Sequence, residues 1–162
     1  YDSKIIKFGD ENFFNEKIFF ARPTKDTKVF TGREFDMEQW IEFRNYSLTN
    51  GHSTVLDKDN EIQISSIKKI QQEIRFWIVN GEIVTASQYR LGNRLLFNDI
   101  VDSSAYDYCR EMIKVFQLND AFVMDICLYN DEYKIVECGC INCAGFYKAD
   151  MQKILFAIEE KF

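Results

Sequence analysis

EIRFWIVNGEIVTASQYR, running from Glu73 to Arg90, is two strand-forming runs around Asn80-Gly81. Val, Ile, Phe, Trp and Tyr suit a pleated surface. Asn-Gly is the strongest short turn signal, because a type I′ turn needs positive φ at both central residues. A two-residue turn pairs Val79 with Glu82, and continuing that register sets Arg75 opposite Ala86 and Glu73 opposite Gln88. Opposed residues share a face and faces alternate along a strand. Glu73, Arg75, Gln88 and Arg90 are therefore expected on one side of the sheet.

A second pair of runs, AFVMDICLY (Ala121 to Tyr129) and YKIVECG (Tyr133 to Gly139), reads as another hairpin. With Asn130-Asp131-Glu132 as a three-residue loop, Tyr129 opposes Tyr133 and Asp125 opposes Glu137. Two carboxylates ~5 Å apart in apolar strands repel each other and need a proton or a cation to coexist. Oxygen-only ligands suit Mg²⁺, which keeps several waters and shares phosphate oxygens with a substrate. The alternatives are one protonated or hydrogen-bonded acid, or a register slipped by one.

Outward from the hairpins, KIFFARP (Lys17 to Pro23) reads as a strand ended by the only proline, and TKDTKVFTG (Thr24 to Gly32) as a polar loop. Asp36 with Gln39 resembles a capping box opening a short helix through Trp40, Ile41 and Phe43. Asn50 to Glu61 has loop composition. Ser103 to Phe116 repeats Ala105, Tyr108, Cys109, Met112, Ile113 and Phe116 at helical spacing. A last helix is expected from about Asp150, with Met151, Ile154, Leu155 and Ile158 on one face. Strands and helices mix without a regular βαβ rhythm, which is α+β.

The 162 residues carry 20 Lys+Arg and 26 Asp+Glu, a net charge of −6, with 46% hydrophobic and 15% aromatic residues. That is enough apolar material for a core and argues against disorder. The acidic balance argues against broad phosphate neutralisation on a nucleic acid but leaves room for a local basic pocket. No apolar run approaches the ~18 residues of a membrane-spanning helix. Tyr1-Asp2-Ser3-Lys4 has no signal core behind it and no initiator Met, so the chain is expected to be a piece of something longer. The five cysteines are odd in number, which fits reduced thiols and a cytoplasmic protein.

Arg22 ends an apolar strand and Lys28 lies in the following loop. They are candidates for an anion, or are simply solvated charges. That loop lacks the Gly-Lys-Ser/Thr of a P-loop, although backbone amides could still cradle phosphate. Cys138-x-Cys140-x-x-Cys143 invites zinc, with Cys109 or His52 as a distant fourth ligand; the alternative is small buried thiols. His52 has no motif that would pair it with a nucleophilic cysteine.

The order of these pieces resembles the ATP-grasp superfamily, most closely its phage and bacterial clade named for two arginines and a lysine. The resemblance rests on ARPTKDTKVFTG (Ala21 to Gly32), QEIRFWIVNGEIVTASQYR (Gln72 to Arg90), AFVMDIC (Ala121 to Cys127) and IVECGCINCAGFYKADMQKIL (Ile135 to Leu155). It implies one ATP-grasp domain over 1–162 with two α+β subdomains, a nucleotide-loop part at about 17–65 and a metal- and phosphate-binding part at about 66–162. The nucleotide is held between them, and the N-terminal pre-grasp lobe is mostly absent. By the same resemblance Arg22 reaches the α/β-phosphates and Lys28 sits on the loop over the triphosphate. Ile62 to Ser65, with Ile64 between, is the adenine hinge. Glu73 and Arg90 join the nucleotide site, Arg75 faces the transferred phosphoryl, and Asp125 and Glu137 hold magnesium. The second metal motif departs from the usual Glu-x-Asn: it reads Glu137-Cys138-Gly139, and Asn142 stands three residues further on.

The implied function is an ATP- and Mg²⁺-dependent carboxylate–amine ligase acting through an acylphosphate, on small-molecule or peptide substrates, with no nucleic-acid or membrane partner. Gly139 and the absent lobe leave a second reading, a catalytically weakened nucleotide-binding module. A zinc-bearing interaction domain is the third.

Overall fold

The structure is a computed structural model. It describes residues 2–11, 15–25, 29–49 and 56–162, with the side chain of Cys143 left out. The chain divides into two compact units, residues 1–68 and 69–162.

The first unit is an antiparallel sheet of β1 (Lys4–Lys7), β2 (Ile18–Pro23), β3 (Arg33–Asp36) and β4 (Glu61–Ser66), in the order β1-β4-β2-β3, with helix α1 (Met37–Thr49). It begins earlier than about residue 17, because β1 pairs with β4, Ile6 opposite Ile62. Asp36 and Gln39 form the expected capping box. The Asp36 carboxylate accepts from Gln39 N at 2.8 Å and the Gln39 amide oxygen accepts from Asp36 N at 3.2 Å. Phe8, Phe19, Phe35, Trp40, Ile62 and Ile64 are fully buried between sheet and helix. Their rings meet mostly edge to face, as for Phe35 and Trp40 at 5.1 Å and 81°.

The second unit is a five-stranded antiparallel sheet of β5 (Gln72–Val79), β6 (Glu82–Leu91), β7 (Arg94–Asn98), β8 (Ala121–Tyr129) and β9 (Glu132–Cys140), in the order β7-β6-β5-β8-β9. Helix α2 (Ser103–Val115) covers one face and α3 (Met151–Lys161) the other. A 3₁₀ turn, Ile141–Cys143, follows β9. β5 is central, so its residues are buried on both faces and the run does not alternate. On one side Ile74, Phe76, Ile78, Ala86, Phe122 and Met124 pack against Ala105, Cys109 and Ile113, one i, i+4, i+8 stripe of α2. On the other, Trp77 and Val123 meet Ile154, with Ile158 partly buried beside them. Met151 and Leu155, expected on that apolar face, are exposed, because the helix rests on its 154/158 row.

Both hairpins turn through the left-handed region: Asn80 and Gly81 have φ of 53° and 78°, Asn130 and Asp131 of 50° and 59°. The second turn therefore has two residues, not the predicted three, and Glu132 is already in β9 opposite Tyr129. Three β-bulges then reset the ladders. Val84 is the extra residue that moves Arg75 from the predicted Ala86 to Ser87. Tyr89 is the extra residue that sets Glu73 opposite Arg90 instead of Gln88, leaving Gln88 on the other face opposite Ile74. Val136 is the extra residue that restores Asp125 opposite Glu137.

Four short strands escaped the sequence reading: β1, β3, β4 and β7. Each has four to six residues, too short for periodicity to separate from loop.

Candidate active site

β5, β6, β8 and β9 bring Glu73, Arg75, Arg90, Asp125 and Glu137 together in the second unit, on the face that α3 leaves uncovered beyond Trp77. Arg75 and Asp125 are direct cross-strand partners. Their side chains, 10% and 3% exposed, form a two-pronged ion pair: Arg75 Nε donates to Asp125 Oδ1 at 2.7 Å and Nη2 to Oδ2 at 2.8 Å. The fork of the guanidinium matches the carboxylate, the strongest form of such a pair. Glu137, 65% exposed, places Oε1 3.7 Å from the same Nη2. The cation that lets the two opposed acids coexist is therefore a guanidinium.

A second ion pair lies beside the first. Arg90 Nη1 stands 3.3 Å from Glu73 Oε1, with Glu73 buried and Arg90 half-exposed. Tyr89 links the two: its hydroxyl donates to Glu73 Oε2 at 2.6 Å and lies 3.2 Å from Asp125 Oδ2. Sequence reasoning missed Tyr89. Only the bulge aims it into this face, and its adjacency to Arg90 in SQYR was the sole signal. Burial, then the bond to Glu73 and the nearby Asp125 charge, hold its phenol well above its ordinary value, so it stays a donor. Asp125 raises the Arg75 guanidinium further, fixing its charge.

The segment between the 3₁₀ turn and α3 closes over this cluster. Lys148 N donates to Ser87 Oγ at 3.1 Å and Asp150 N to Thr85 Oγ1 at 3.2 Å, both on β6. Tyr147, at φ 52°, stacks on Tyr89 at 5.0 Å and on Phe97 at 5.2 Å. Arg75 Cζ lies 5.3 Å from the Tyr147 ring centre and 5.8 Å from that of Tyr89. Arg75 Nη1 donates to the Gly145 carbonyl at 3.5 Å.

As donors, Asp125 and Glu137 offer only carboxylate oxygens, and the exposed Glu137 is open to solvent. That set fits a hard dication such as Mg²⁺. Asn142 is exposed in the 3₁₀ turn. Gly139 lies on β9 two residues from Glu137, where a Cβ would meet only Val123 Cγ2 at 3.7 Å. Of the residues considered for zinc, His52 and the Cys143 side chain lie outside what the structure describes. Among the described residues no three acids, cysteines or histidines are placed to share a metal. Burial pushes the Cys109 thiol up to about 12 and raises those of Cys127 and Cys138.

The remaining predicted residues lie in the first unit. Arg22 is exposed on β2, and its Nε donates to Gln63 Oε1 at 2.9 Å. Thr24 and Lys25, at the start of the polar loop, line a hollow of about 450 Å³ with Asn60 and Glu61. Lys28 and His52 lie outside the described residues. Ile62 and Ile64 point into the core from β4, which is paired on both sides. Ser65 is half-buried and lines a second hollow of about 400 Å³ with Gln63 and Lys68. Among the described residues no helix is long and apolar enough to cross a membrane.

Several solved structures share the fold. D-alanine–D-alanine ligase from Bacillus anthracis, complexed with ATP, superposes with a TM-score of 0.65 at 14% identity, covering 99% of this chain and 59% of that one. The ATP-grasp ligase PsnB, complexed with a phosphomimetic variant of minimal precursor, Mg and ADP, gives 0.59 at 13% identity, over 89% of this chain and 46% of that one. D-cycloserine synthetase DcsG gives 0.59 at 8%, over 98% and 63%. The chain thus spans roughly half to two-thirds of the length of these ligases. No match was found among curated proteins. A sequence profile for the ATP-grasp domain, family 3 of the clade named for two arginines and a lysine, matches residues 4–158. With two antiparallel α+β units and a profile that runs through nearly every element of both, the chain belongs to that third family of the clade, within the ATP-grasp domains.

Proposed function

We propose that this domain binds Mg·ATP as part of a ligase that joins a carboxylate to an amine through an acylphosphate. The carboxylate oxygen of one substrate attacks the γ-phosphorus and ADP leaves; the amine of the other then displaces phosphate to give the amide. The observation that carries the reading is the Arg75–Asp125–Glu137 cluster within a chain of this family. A carboxylate and a triphosphate repel, so the protein's work in the first step is to neutralise and align them. Arg75 would present its fork to the transferred phosphoryl group, while Arg22 and Lys28 would take the other phosphates. Asp125 and Glu137 would hold magnesium, with Asn142 as a further oxygen donor; the bound ion would supply charge neutralisation of the phosphates. Glu73 and Arg90 would fix Asp125 in place through Tyr89. Of the Ile62–Ser65 segment, Ile62 and Ile64 are paired with strands on both sides and only Ser65 lacks a β1 partner, so Ser65 is where a backbone group would reach the base.

Substrates of this class include the small molecules and precursor peptides named for the structural relatives, and they set the acceptors to screen. Mg²⁺-dependent ATP binding, with ADP released only when an amino acid or peptide acceptor is added, is the expected result. Asp125→Asn combined with Glu137→Gln should abolish Mg·ATP binding by calorimetry, and unchanged affinity would overturn the site assignment. A second reading, a nucleotide-binding module without turnover, is favoured by Gly139 in the Glu-x-Asn position. ATP binding with no ADP release against any acceptor would select it.

A further inference from the structure

Both oxygens of Asp125 are already in use: Arg75 Nε and Nη2 take one each, and the Tyr89 hydroxyl lies against Oδ2. The nearest oxygen of Glu137 faces the same Nη2. Mg²⁺ binds carboxylate oxygens directly at about 2.0–2.1 Å and tolerates little distortion. Donors already take three of the roughly four lone-pair sites of Asp125, so an ion at the remaining Oδ1 site would stand beside the guanidinium, and two cations on one buried carboxylate repel each other. The other contacts of Arg75 are soft. The rings of Tyr147 and Tyr89 lie 5.3 and 5.8 Å away, and the Gly145 carbonyl accepts at the long distance of 3.5 Å. Aromatic faces attract a guanidinium without fixing its direction, so it can slide along them and keep the attraction. Glu137 is open to solvent, whereas Asp125 is not, so an incoming ion meets Glu137 first.

We propose that Arg75 is a resident counter-ion that the metal displaces, so that metal entry at Asp125–Glu137 and release of the guanidinium toward phosphate are one exchange. This rests on the ligase reading above and adds to it an order of events. Before exchange the guanidinium is satisfied by carboxylate and is a poor phosphate ligand, and the carboxylates are satisfied by guanidinium and are poor metal ligands. After exchange both are free for their partners. Metal alone and nucleotide alone should each bind weakly, and each should strengthen the other by the same factor.

The test measures Mn²⁺ binding by electron paramagnetic resonance, with and without a non-hydrolysable ATP analogue, in the native chain and in Arg75→Met. In the native chain, the analogue should tighten Mn²⁺ roughly tenfold or more. In Arg75→Met, Mn²⁺ alone should bind roughly tenfold more tightly than in the native chain, because the competing positive charge is gone, and the added effect of the analogue should shrink to the part that direct metal–phosphate ligation supplies. Mn²⁺ binding unchanged or weakened in Arg75→Met, with the native chain still binding Mn²⁺ with the analogue, overturns the exchange and leaves the ligase reading standing. Native protein that binds no Mn²⁺ with the analogue overturns both. Should Arg75→Met fail to fold, the Nε–H resonance of Arg75 in the native chain decides. A shift on adding Mg²⁺ with the analogue supports exchange, and a resonance unmoved at saturation refutes it.

Discussion

Arg75 and Asp125 lend themselves to a double-mutant cycle, because each holds the other's charge inside the second unit. Arg75→Met strands a carboxylate that is 3% exposed, with only the Tyr89 hydroxyl near it. Breaking a buried pair from one side costs about 3–5 kcal/mol. Asp125→Leu strands a guanidinium that is 10% exposed but can lean on Glu137, 3.7 Å away, which puts its cost near ~3 kcal/mol. The double variant leaves two apolar side chains and no stranded charge. It should lie within ~1–2 kcal/mol of the native protein instead of the ~6–8 kcal/mol that adding the singles gives. Urea unfolding followed by Trp77 fluorescence, with Trp40 replaced by Phe in all four proteins, isolates the unit that holds the pair. With a slope of ~1.5 kcal/mol/M, Arg75→Met should lower the midpoint by ~2–3 M and Asp125→Leu by ~2 M. Single effects that add within ~0.5 kcal/mol would show that the two charges do not depend on one another, and the account of the site would fail with them.

Tyr89→Phe removes the hydroxyl that Glu73 accepts and should cost about 1–3 kcal/mol at neutral pH. Because the folded phenol is held above its unfolded value near ~10, native stability is full below that pH and falls as pH rises through it; urea midpoints from pH 8 to 11 should show a smaller alkaline loss in the variant. Gly139→Asn has room for its Cβ beside Val123 and sits two residues from Glu137 on the same strand. It should tighten Mg²⁺-dependent nucleotide binding by up to roughly tenfold, ~1.4 kcal/mol for one added oxygen ligand, as read by calorimetry. Cys109, pushed up to about 12 by burial, is only about one part in 10⁴ thiolate at pH 8. It should resist a thiol reagent under conditions that label the exposed Cys140 within minutes, with the labelled sites read by mass spectrometry.

Much of this arrangement is legible in the residues. Asn80-Gly81 fixes the first hairpin because few other pairs accept positive φ twice, and Asp36 with Gln39 opens α1 because their side chains reach only local backbone groups. Ala105, Cys109 and Ile113 announce the buried stripe of α2 by spacing alone. Asp125 opposite Glu137 also came from sequence, but through compensating errors: the turn is one residue shorter than read, and the Val136 bulge returns the residue. That bulge, with those at Val84 and Tyr89, is where local reading ends. A bulge is set by how a twisted sheet must lie against what covers it, here α3 and the segment bearing Tyr147, and no local propensity marks the position. Sequence therefore determined which charges the second unit owns and roughly which strands carry them. Only the tertiary structure decided that Arg75 answers Asp125 and that Tyr89 joins two ion pairs. The first is set by the unbroken ladder between β5 and β8, strands that are not neighbours in sequence, and the second by the Tyr89 bulge, a one-residue shift of the kind that turns later side chains to the opposite face.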